Sequence, residues 1–428
     1  IHLLQQYSSY LPRHDLIDFT DQIRNAINLI QNNPHAYKTQ YDHVLVDEFQ
    51  DIGAEKLELV QELTGPEAAR LFAVGDDWQS IYSFQGADVQ YLTEFDEYFD
   101  TAVRTDLTAN FRSPPSVIDA GNELINRNSE QLSKTVRATT DFDTTPRVHP
   151  LRGYGEKFYD YVRCVRSYTT SLVRRYLDAG ADPSEIMILC RYDDARPFLD
   201  EIKAGLQTQE VPYVGKDRAK QYRGPDGEAE DGVSVYAVHQ AKGREANYVI
   251  VVDLVEGSYG FPPDDRENEL LTPVQPLGVG GIEEERRLFY VAITRSKRRV
   301  DLLTRATQES RFLDEISEYI QVVDTCRVEP LEDVGDRMTI EVRVAELLES
   351  RRKQHQRGIL MDRYGGSAPF VSWMTDMPPT LERGEWYCLS GVQVDEYNDQ
   401  KELVISNDRS VTHLPDGPQG PAPTEFPD

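Results

Sequence analysis

The sequence has few cysteines, and no two of them are close together. They lie at Cys164, Cys190, Cys326 and Cys388, so no CxxC pair is present. A zinc site or a dithiol redox site needs closely spaced thiols, and paired cysteines persist mainly outside the reducing cytoplasm. We therefore expect buried free thiols, no zinc site and a cytoplasmic protein.

Long apolar runs and an initiating methionine are also missing. No run reaches the roughly 18 apolar residues that a membrane-spanning helix needs, so we expect a soluble protein with no membrane partner. No signal peptide is visible, and the chain begins at Ile1, which leads us to expect a fragment of a longer protein. A length of 428 residues exceeds one ordinary core and indicates two or three domains.

Lysine is scarce among the charged residues. Seventy-four acidic and 46 basic residues give a net charge of −28, and only 11 of the basic residues are lysines, which leaves 46 − 11 = 35 arginines. Acid-rich, lysine-poor surfaces suit molar salt, where the Debye length falls to about 3 Å and self-repulsion is screened. The composition therefore predicts a halophile. It also predicts that any DNA contact depends on local arginines, aromatic rings and backbone amides rather than on a broad basic face.

Two apolar runs end in carboxylates. The run His43–Val46 leads into Asp47 and Glu48 in "HVLVDEFQD", and Leu71–Val74 leads into the acidic pair of "AVGDDWQS". The segment between them has apolar residues at helical spacing and stops at a Gly-Pro pair, which predicts strand, helix, strand. Ligands bind at the carboxyl ends of parallel strands, so both acidic ends should belong to one site.

The rest of the chain changes character after residue 330. An α/β block runs from about residue 114 to 320, with strands expected at Ile186–Cys190, Val233–Ala237, Tyr248–Leu254 and Val300–Thr304. From residue 337 onward, short alternating runs are typical of a β-barrel, and the proline-rich residues 415–428 predict a disordered tail. The expected fold class is α/β with a C-terminal all-β barrel.

Five sequence motifs occur in a fixed order between about residues 40 and 305. They are "VDEFQD", "AVGDDWQSIYSFQGAD", "LTANFRS", "VHQAKGREANYVIVV" and "EEERRLFYVAITRSKRRV". Together they resemble motifs II to VI of the UvrD/Rep superfamily 1 DNA helicases. The words "VGDDWQSIY" and "EGSYGFPPDDRENELL" are most similar to the helicase IV branch, and the short interval from residue 112 to 238 leaves little room for the large inserted subdomain of UvrD and Rep.

The resemblance implies RecA-like P-loop NTPase domains that use ATP and Mg²⁺. Residues 1–112 would form the C-terminal part of the first such domain, and residues 113–325 the second. The Walker A loop of the family, GxxxxGK[ST], cradles the phosphates. It does not occur in the sequence, whose only Gly-Lys pair is Gly215-Lys216. We expect the loop to precede Ile1 and residues 1–428 alone to lack ATPase activity.

The resemblance also implies catalytic roles. Asp47 would hold Mg²⁺, and Glu48 would polarise the water that attacks the γ-phosphate. Gln79 would sense the γ-phosphate, with capping of a turn as the alternative. Arg112 in "NFRS" and Arg295 in "AITRSK" would reach the same phosphate from the neighbouring domain, because a planar, permanently charged guanidinium suits that task. Surface salt bridges are the alternative for both arginines.

Further residues match the nucleotide and DNA contacts of the family. Phe111 would stack on the adenine, with core packing as the alternative, and Glu245 would contact the ribose. Tyr82 and Phe84 are two residues apart, so in an extended loop they would face the same side and stack on DNA bases.

Two more residues, His239 and Lys242 in "VHQAKG", would lie near the DNA backbone. A structural histidine is the alternative for the first of them.

The C-terminal barrel carries a second resemblance. The words "RGILMDRYGGSAPFVSWM" and "LERGEWYCLSGVQVDEYNDQKELVISN" resemble the OB-fold of replication protein A-like single-strand binding proteins, over residues 332–414. OB-folds hold single strands in a groove with stacking aromatics. Candidates are Phe370, Trp373 and Tyr397, and packing in the barrel core is the alternative for the first two.

The function that these resemblances imply is ATP-dependent DNA helicase or translocase activity, in repair or replication. The partner would be single-stranded DNA or a tailed duplex, with 3′ to 5′ movement. The alternative from another class is a non-catalytic single-strand-binding or regulatory remnant of a helicase. A helicase-nuclease is disfavoured, because no clustered Asp, Glu and Lys site follows residue 324.

Overall fold

The computed structural model describes residues 2–65, 68–100, 102–151, 158–192, 197–216, 221–224, 231–257, 260–263, 281–305, 308–323, 337–350, 353–361, 367–373, 379–397, 400–405 and 411–415. The chain divides into two compact units. Unit 1 comprises Ile1–Thr108, Leu124–Val136 and Asn268–Val291, and unit 2 comprises Ala109–Glu123, Arg137–Glu267 and Ala292–Asp428. Each unit is thus assembled from three separate parts of the chain. The domain boundaries expected from the sequence stay predictions.

The α-helices of the described residues vary from one turn to six. In chain order they are α1 (His2–Arg13), α2 (Phe19–Asn32), α3 (Pro34–Tyr37), α4 (Ala54–Leu63), α5 (Gln90–Thr93), α6 (Phe95–Tyr98), α7 (Pro115–Ile125), α8 (Phe158–Asp178), α9 (Phe198–Thr208), α10 (Ile282–Ile293) and α11 (Arg311–Glu315).

The strands of the described residues belong to four sheets. In chain order they are β1 (His43–Val46), β2 (Arg70–Ala73), β3 (Ala109–Asn110), β4 (Arg137–Ala138), β5 (Arg147–Leu151), β6 (Ile186–Cys190), β7 (Tyr213–Val214), β8 (Val233–Ala237), β9 (Ala246–Val251), β10 (Ser296–Arg305), β11 (Gln321–Val322), β12 (Arg337–Leu348), β13 (Gln354–Met361), β14 (Ser367–Trp373), β15 (Trp386–Tyr397), β16 (Gln400–Ile405) and β17 (Val411–His413).

Unit 1 contains a parallel pair of strands joined by a helix. β1 and β2 pair with Val46 opposite Ala73, and α4 connects them. α4 has its apolar residues Leu57 and Val60 on one helical face, and this face packs with Phe49 in the core of the unit. The predicted strand–helix–strand arrangement is confirmed. Since the pair is parallel, both carboxyl ends lie at one edge.

Unit 2 is built on a seven-stranded parallel sheet. Its strand order is β11-β5-β10-β9-β6-β8-β7. β6 is buried at every residue, as expected for a strand whose sheet is covered on both faces. α8 and α9 contribute Tyr161, Val173 and Phe198 to the same core. A separate short parallel pair joins β3 to β4.

The C-terminal strands close into a barrel. β12 pairs with both β13 and β15, so five strands form a ring in the order β12-β13-β14-β16-β15, and β17 extends the sheet beside β15. Within the ring β14 and β16 run parallel, while the other pairs are antiparallel. Gly358 permits the closure, because a Cβ there would lie 2.0 Å from the carbonyl oxygen of Glu346 on the bulged β12. The predicted OB-type barrel is confirmed.

Individual strand predictions differ in accuracy. β6 and β8 have the predicted bounds, whereas β9 ends at Val251 rather than at Leu254. Asp253 has a left-handed backbone with φ of +61°, which takes the chain out of the extended conformation. β10 is twice the predicted length and begins at Ser296.

Several expectations concern residues outside the described part. The predicted tail lies there from residue 416 onward, as does most of the loop 257–281. The thiols of Cys190 and Cys388 are buried, whereas the side chains of Cys164 and Cys326 are outside the described part. Among the described residues, no helix is long and apolar enough to cross a membrane, and no group of three or more His, Cys, Asp or Glu side chains could hold a metal ion.

Candidate functional site

The carboxyl edge of the β1–β2 pair carries the acidic residues of unit 1. Asp47 and Glu48 follow β1 directly and are exposed. The Asp47 Oδ1 atom accepts a hydrogen bond from the backbone N–H of Glu48 at 2.9 Å, which orients the carboxylate. Glu48 has a left-handed backbone with φ of 53° and ψ of 44°. Such a conformation is uncommon for a residue with a side chain and is frequent at functional turns.

A buried glutamine links the two acidic strand ends. The Gln50 Nε2 atom donates to the Glu48 Oε2 atom at 2.5 Å, and the Gln50 Oε1 atom accepts from the backbone N–H of Asp76 at 2.9 Å. Gly75 allows this approach, because a Cβ there would lie 2.8 Å from the Gln50 Oε1 atom. Sequence reasoning missed Gln50, although it lies inside "VDEFQD". The available signal was an amide side chain two residues after the acidic pair.

Gln79 is joined to the same network. It lies in a 3₁₀ turn, Asp77–Gln79, after β2. Its Nε2 atom donates to the Asp76 Oδ2 atom at 2.7 Å. The residues predicted to polarise water and to sense phosphate, Glu48 and Gln79, are therefore connected through Gln50 and Asp76.

The two aromatic residues of "SIYSFQGA" lie side by side, although the loop is not extended. Ser83–Gln85 forms a 3₁₀ turn, which corrects the expected extended conformation. The rings of Tyr82 and Phe84 still approach to 6.0 Å between centroids, at an interplanar angle of 52°. Phe84 is exposed and Tyr82 half-buried. Burial, and secondarily the carboxylates of Asp51 and Glu48, raise the pKa of the Tyr82 hydroxyl.

In unit 2, Arg112 is held by Glu245. The Arg112 Nε atom lies 2.8 Å from the Glu245 Oε2 atom, and the Lys297 Nζ atom lies 2.5 Å from Oε1. Hydrogen bonds from Lys297 and then Arg112 lower the pKa of the Glu245 carboxyl. Phe111 is 79% exposed, which excludes core packing and leaves its ring available to a ligand. Sequence reasoning missed Lys297, which follows Arg295 by two residues.

Hydrogen bonds fix the backbone around Arg112. The Asn110 Oδ1 atom accepts from the backbone N–H groups of Arg112 and Ser113 at 2.9 and 2.8 Å. The Ser113 hydroxyl then donates to the carbonyl oxygen of Ser296 at 2.8 Å. The motif "NFRS" is thereby attached to the start of β10.

Arg295 is buried, with 1% of its surface exposed. Its Nη1 atom donates to the carbonyl oxygen of Arg244 at 3.3 Å. The surface salt bridge considered for this residue is therefore wrong. His239 lies in the 3₁₀ helix Val238–Ala241, Lys242 follows it, and both are half-buried.

The aromatic residues of the barrel have different environments. Phe370 is 1% exposed and belongs to the barrel core with Leu360 and Leu403. Its predicted contact with DNA is therefore wrong, and the core alternative holds. Trp373 ends β14 and is 41% exposed. Tyr397 ends β15, but its side chain is outside the described part.

Comparisons with known proteins agree on one family. The family described as the UvrD/REP helicase N-terminal domain matches residues 1–100, and the UvrD-like helicase C-terminal domain matches residues 222–305. DNA helicase IV of Escherichia coli (strain K12) is 32% identical over 325 residues, which cover 73% of this chain and 40% of that protein.

Two further proteins are similar over shorter parts. ATP-dependent DNA helicase PcrA of Staphylococcus epidermidis is 29% identical over 213 residues, which cover 49% of this chain and 27% of that protein. An OB domain from Methanosarcina mazei is 29% identical with a TM-score of 0.19, and the match covers 21% of this chain and 82% of that domain. The chain therefore spans less than half the length of the helicases it matches.

Proposed function

Because the chain belongs to the UvrD/Rep family of superfamily 1 helicases, we propose that its protein is an ATP-dependent DNA helicase or translocase. It moves on single-stranded DNA in the 3′ to 5′ direction and acts on tailed duplexes in repair or replication. The observation that carries this proposal is the network at the carboxyl edge of β1 and β2, where Glu48 and Gln79 are linked through Gln50 and Asp76.

The residues at this edge suit a magnesium–nucleotide ligand. Mg²⁺ is usually held by one or two carboxylates together with substrate phosphates. Asp47 offers an exposed carboxylate whose orientation is set by the N–H of Glu48, so a single protein ligand is sufficient. When bound, the metal neutralises charge on the phosphates. Glu48 accepts the proton of the attacking water, and the hydrogen bond from Gln50 fixes its position.

Further roles are proposed for residues of unit 2. Arg112 and Arg295 contact the γ-phosphate, Phe111 stacks on the adenine and Glu245 accepts from the ribose. The exposed ring of Phe111 and the hydrogen-bonded backbone around Arg112 support these roles. The pair of Arg112 with Glu245 keeps the guanidinium oriented when no phosphate is present.

Contacts with DNA are proposed for two regions. The adjacent rings of Tyr82 and Phe84 stack on bases, and His239 and Lys242 contact the DNA backbone. The OB-type barrel binds single strands as a second function of the chain. The exposed ring of Trp373 on β14 favours this, because OB-folds bind single strands on the second and third strands of the barrel.

Strand separation on tailed duplexes tests the proposal. The complete gene product should unwind a duplex with a 3′ tail when ATP and Mg²⁺ are present, and a 5′-tailed duplex much more slowly. Preference for the 5′ tail would reverse the proposed direction. Single-strand binding without any ATP hydrolysis would instead support the non-catalytic alternative.

A further inference from the structure

Lys134 is inserted between two acidic residues of unit 1. Its Nζ atom lies 2.6 Å from the Asp76 Oδ1 atom and 2.8 Å from the Asp77 Oδ1 atom. The Lys134 side chain is 12% exposed and that of Asp77 is 1% exposed. Lys134 belongs to the segment Leu124–Val136, which is remote in the sequence from β2 but part of the same unit.

The surroundings hold Lys134 in its charged form. Burial alone would lower the pKa of its ammonium group, but the charges of Asp76 and Asp77 outweigh that effect and raise the pKa above its usual value. The Nζ atom also lies 4.8 Å from the centroid of the Trp78 ring, within the range of a cation–π interaction. The second oxygen of Asp77 accepts from the backbone N–H of Leu132 at 2.7 Å, which anchors the lysine segment.

The two carboxylate oxygens of Asp76 accept from different groups. Oδ1 accepts from the Lys134 Nζ atom and from the backbone N–H of Trp78 at 3.2 Å, and Oδ2 accepts from the Gln79 Nε2 atom at 2.7 Å. The backbone N–H of Asp76 is bonded to Gln50, which in turn holds Glu48. A change in the rotamer of Asp76 would therefore reorient Gln79 directly.

We propose that Lys134 is a positioning residue, which holds Asp76 in the rotamer that aims Gln79 at the γ-phosphate. This inference rests on the role proposed above for Gln79. Lys134 itself touches no reacting atom. Its effect passes through one carboxylate, so it should depend on the presence of Gln79.

The first test measures the electrostatic clamp in the 428-residue chain and requires no activity. Lys134→Met leaves Asp77 buried without its cation, so the unfolding midpoint should fall by about 5–10 °C. Asp77→Asn should lower the unfolding midpoint much less in the Lys134→Met background than in the wild type, because there it removes the uncompensated charge. Lys38→Met is the matched control, since it breaks a more exposed pair with Glu62 at 2.9 Å in the same unit. A midpoint for Lys134→Met equal to that of the control would overturn the clamp.

The second test uses DNA-stimulated ATP hydrolysis by the complete gene product. Lys134→Met should lower kcat by about 10- to 100-fold, the effect expected for a misplaced group, with KM for ATP changed by less than about threefold. Lys134→Arg should retain most of the rate, because it preserves the charge between the carboxylates.

A double-mutant cycle decides whether Lys134 acts through Gln79. In the Gln79→Ala background, Lys134→Met should lower kcat by no more than about twofold, since residues in one network are not additive. If Lys134→Met lowered kcat as strongly in that background as in the wild type, the positioning role would be overturned and the proposed helicase function would stand. Absence of any ATPase activity in the wild type would overturn that function and the positioning role together, while the result of the unfolding test would stand.

Discussion

Glu48 shows how much of the proposed chemistry depends on single residues. It has a left-handed backbone two residues after the end of β1, and the Gln50 amide holds its carboxylate. Glutamine has nearly the same shape as glutamate and lacks the basic oxygen. The position therefore permits a substitution that removes proton acceptance with little change in packing.

In the complete gene product, Glu48→Gln should abolish ATP hydrolysis and leave ATP binding unchanged. The reason is that Asp47 remains for the metal while the general base is lost. Steady-state ATPase rates and equilibrium binding of a fluorescent ATP analogue measure the two properties. Glu58→Gln, on the exposed face of α4, is the matched control. Normal turnover in Glu48→Gln would remove Glu48 from its proposed role.

Arg295 should affect hydrolysis far more than DNA affinity. If it stabilises charge on the transferred phosphoryl group, Arg295→Ala should reduce kcat by about 10³ or more. Arg295→Lys should not restore the rate, because an ammonium lacks the planar fork of the guanidinium. Arg298→Ala is the control for removal of a nearby exposed arginine, and the unfolding midpoints show whether each variant is folded. Loss of DNA affinity with surviving ATPase activity would instead make Arg295 a contact to the DNA backbone.

Residues in the local motifs could be found from the sequence, whereas their partners could not. The words "VDEFQD" and "AVGDDWQS" pointed to Asp47, Glu48 and Gln79. Gln50 meets Asp76 across 26 residues, and Lys134 meets the same carboxylate across 58. Such long-range pairs depend on the tertiary fold, and neither local periodicity nor spacing encodes them.

At the scale of elements, the start of α10 is attached to the segment that carries Lys134. The Glu283 carboxylate accepts from the backbone N–H and hydroxyl of Ser129 at 2.9 and 2.8 Å, and from the N–H of Glu130 at 3.2 Å. Burial alone would raise the pKa of Glu283. These hydrogen bonds and the charge of Arg287 outweigh burial and lower the pKa below its usual 4.5.

Glu283→Gln should therefore destabilise the protein in a pH-dependent way. A carboxyl whose pKa is lowered by folding contributes stability above its unfolded pKa and loses it as pH falls. At pH 7 the variant should lose about 1–2 kcal/mol of unfolding free energy. The difference from the wild type should shrink as pH falls below 4.5. Urea unfolding at several pH values measures it. Glu97→Gln on α6 is the control. If Glu283→Gln lost the same unfolding free energy at every pH, Glu283 would act by packing alone.

Elements buried on both faces were the easiest to predict. β6 is a continuous apolar run that is buried at every residue, and only Ser234 interrupts the apolar residues of β8, so their bounds followed from composition. The end of β9 depends on one left-handed residue, Asp253, and the turn at Ser83–Gln85 on hydrogen bonds within the loop. Neither has a distinct pattern of hydrophobic residues, so both were misjudged.

At the scale of the whole molecule, the net charge of −28 determines how the barrel can bind DNA. Binding driven by counterion release weakens steeply with salt, whereas base stacking is less sensitive and contributes about 1–3 kcal/mol per base. An acidic protein that binds single strands should therefore depend on exposed aromatic rings. Trp373 is such a ring on the barrel, and Phe370 is its buried counterpart.

Trp373→Ala should weaken binding of oligo-dT to the 428-residue chain by about 1–3 kcal/mol, with the unfolding midpoint unchanged. The wild-type affinity should persist across a KCl series up to molar salt. Phe370→Ala is the contrasting variant, because loss of a core ring costs about 3–5 kcal/mol and should unfold the barrel. Fluorescence titration measures binding. If Trp373→Ala binds normally, or if affinity falls steeply with salt, the barrel does not bind DNA by stacking through this ring.

The discontinuous make-up of unit 1 has a consequence for synthesis of the protein. β2 ends at Ala73, whereas the last part of the unit ends at Val291. At about 5–20 residues per second, roughly 10–40 s separate the appearance of these two parts on the ribosome. During that interval Asp76 and Asp77 are synthesised before Lys134, the cation that pairs with both carboxylates. The turn at Ser83 is synthesised before Glu284, whose carboxylate accepts hydrogen bonds from the Ser83 hydroxyl and N–H. Unit 1 cannot complete its fold in the order in which it is translated, so nascent chains stalled before α10 should be sensitive to proteases.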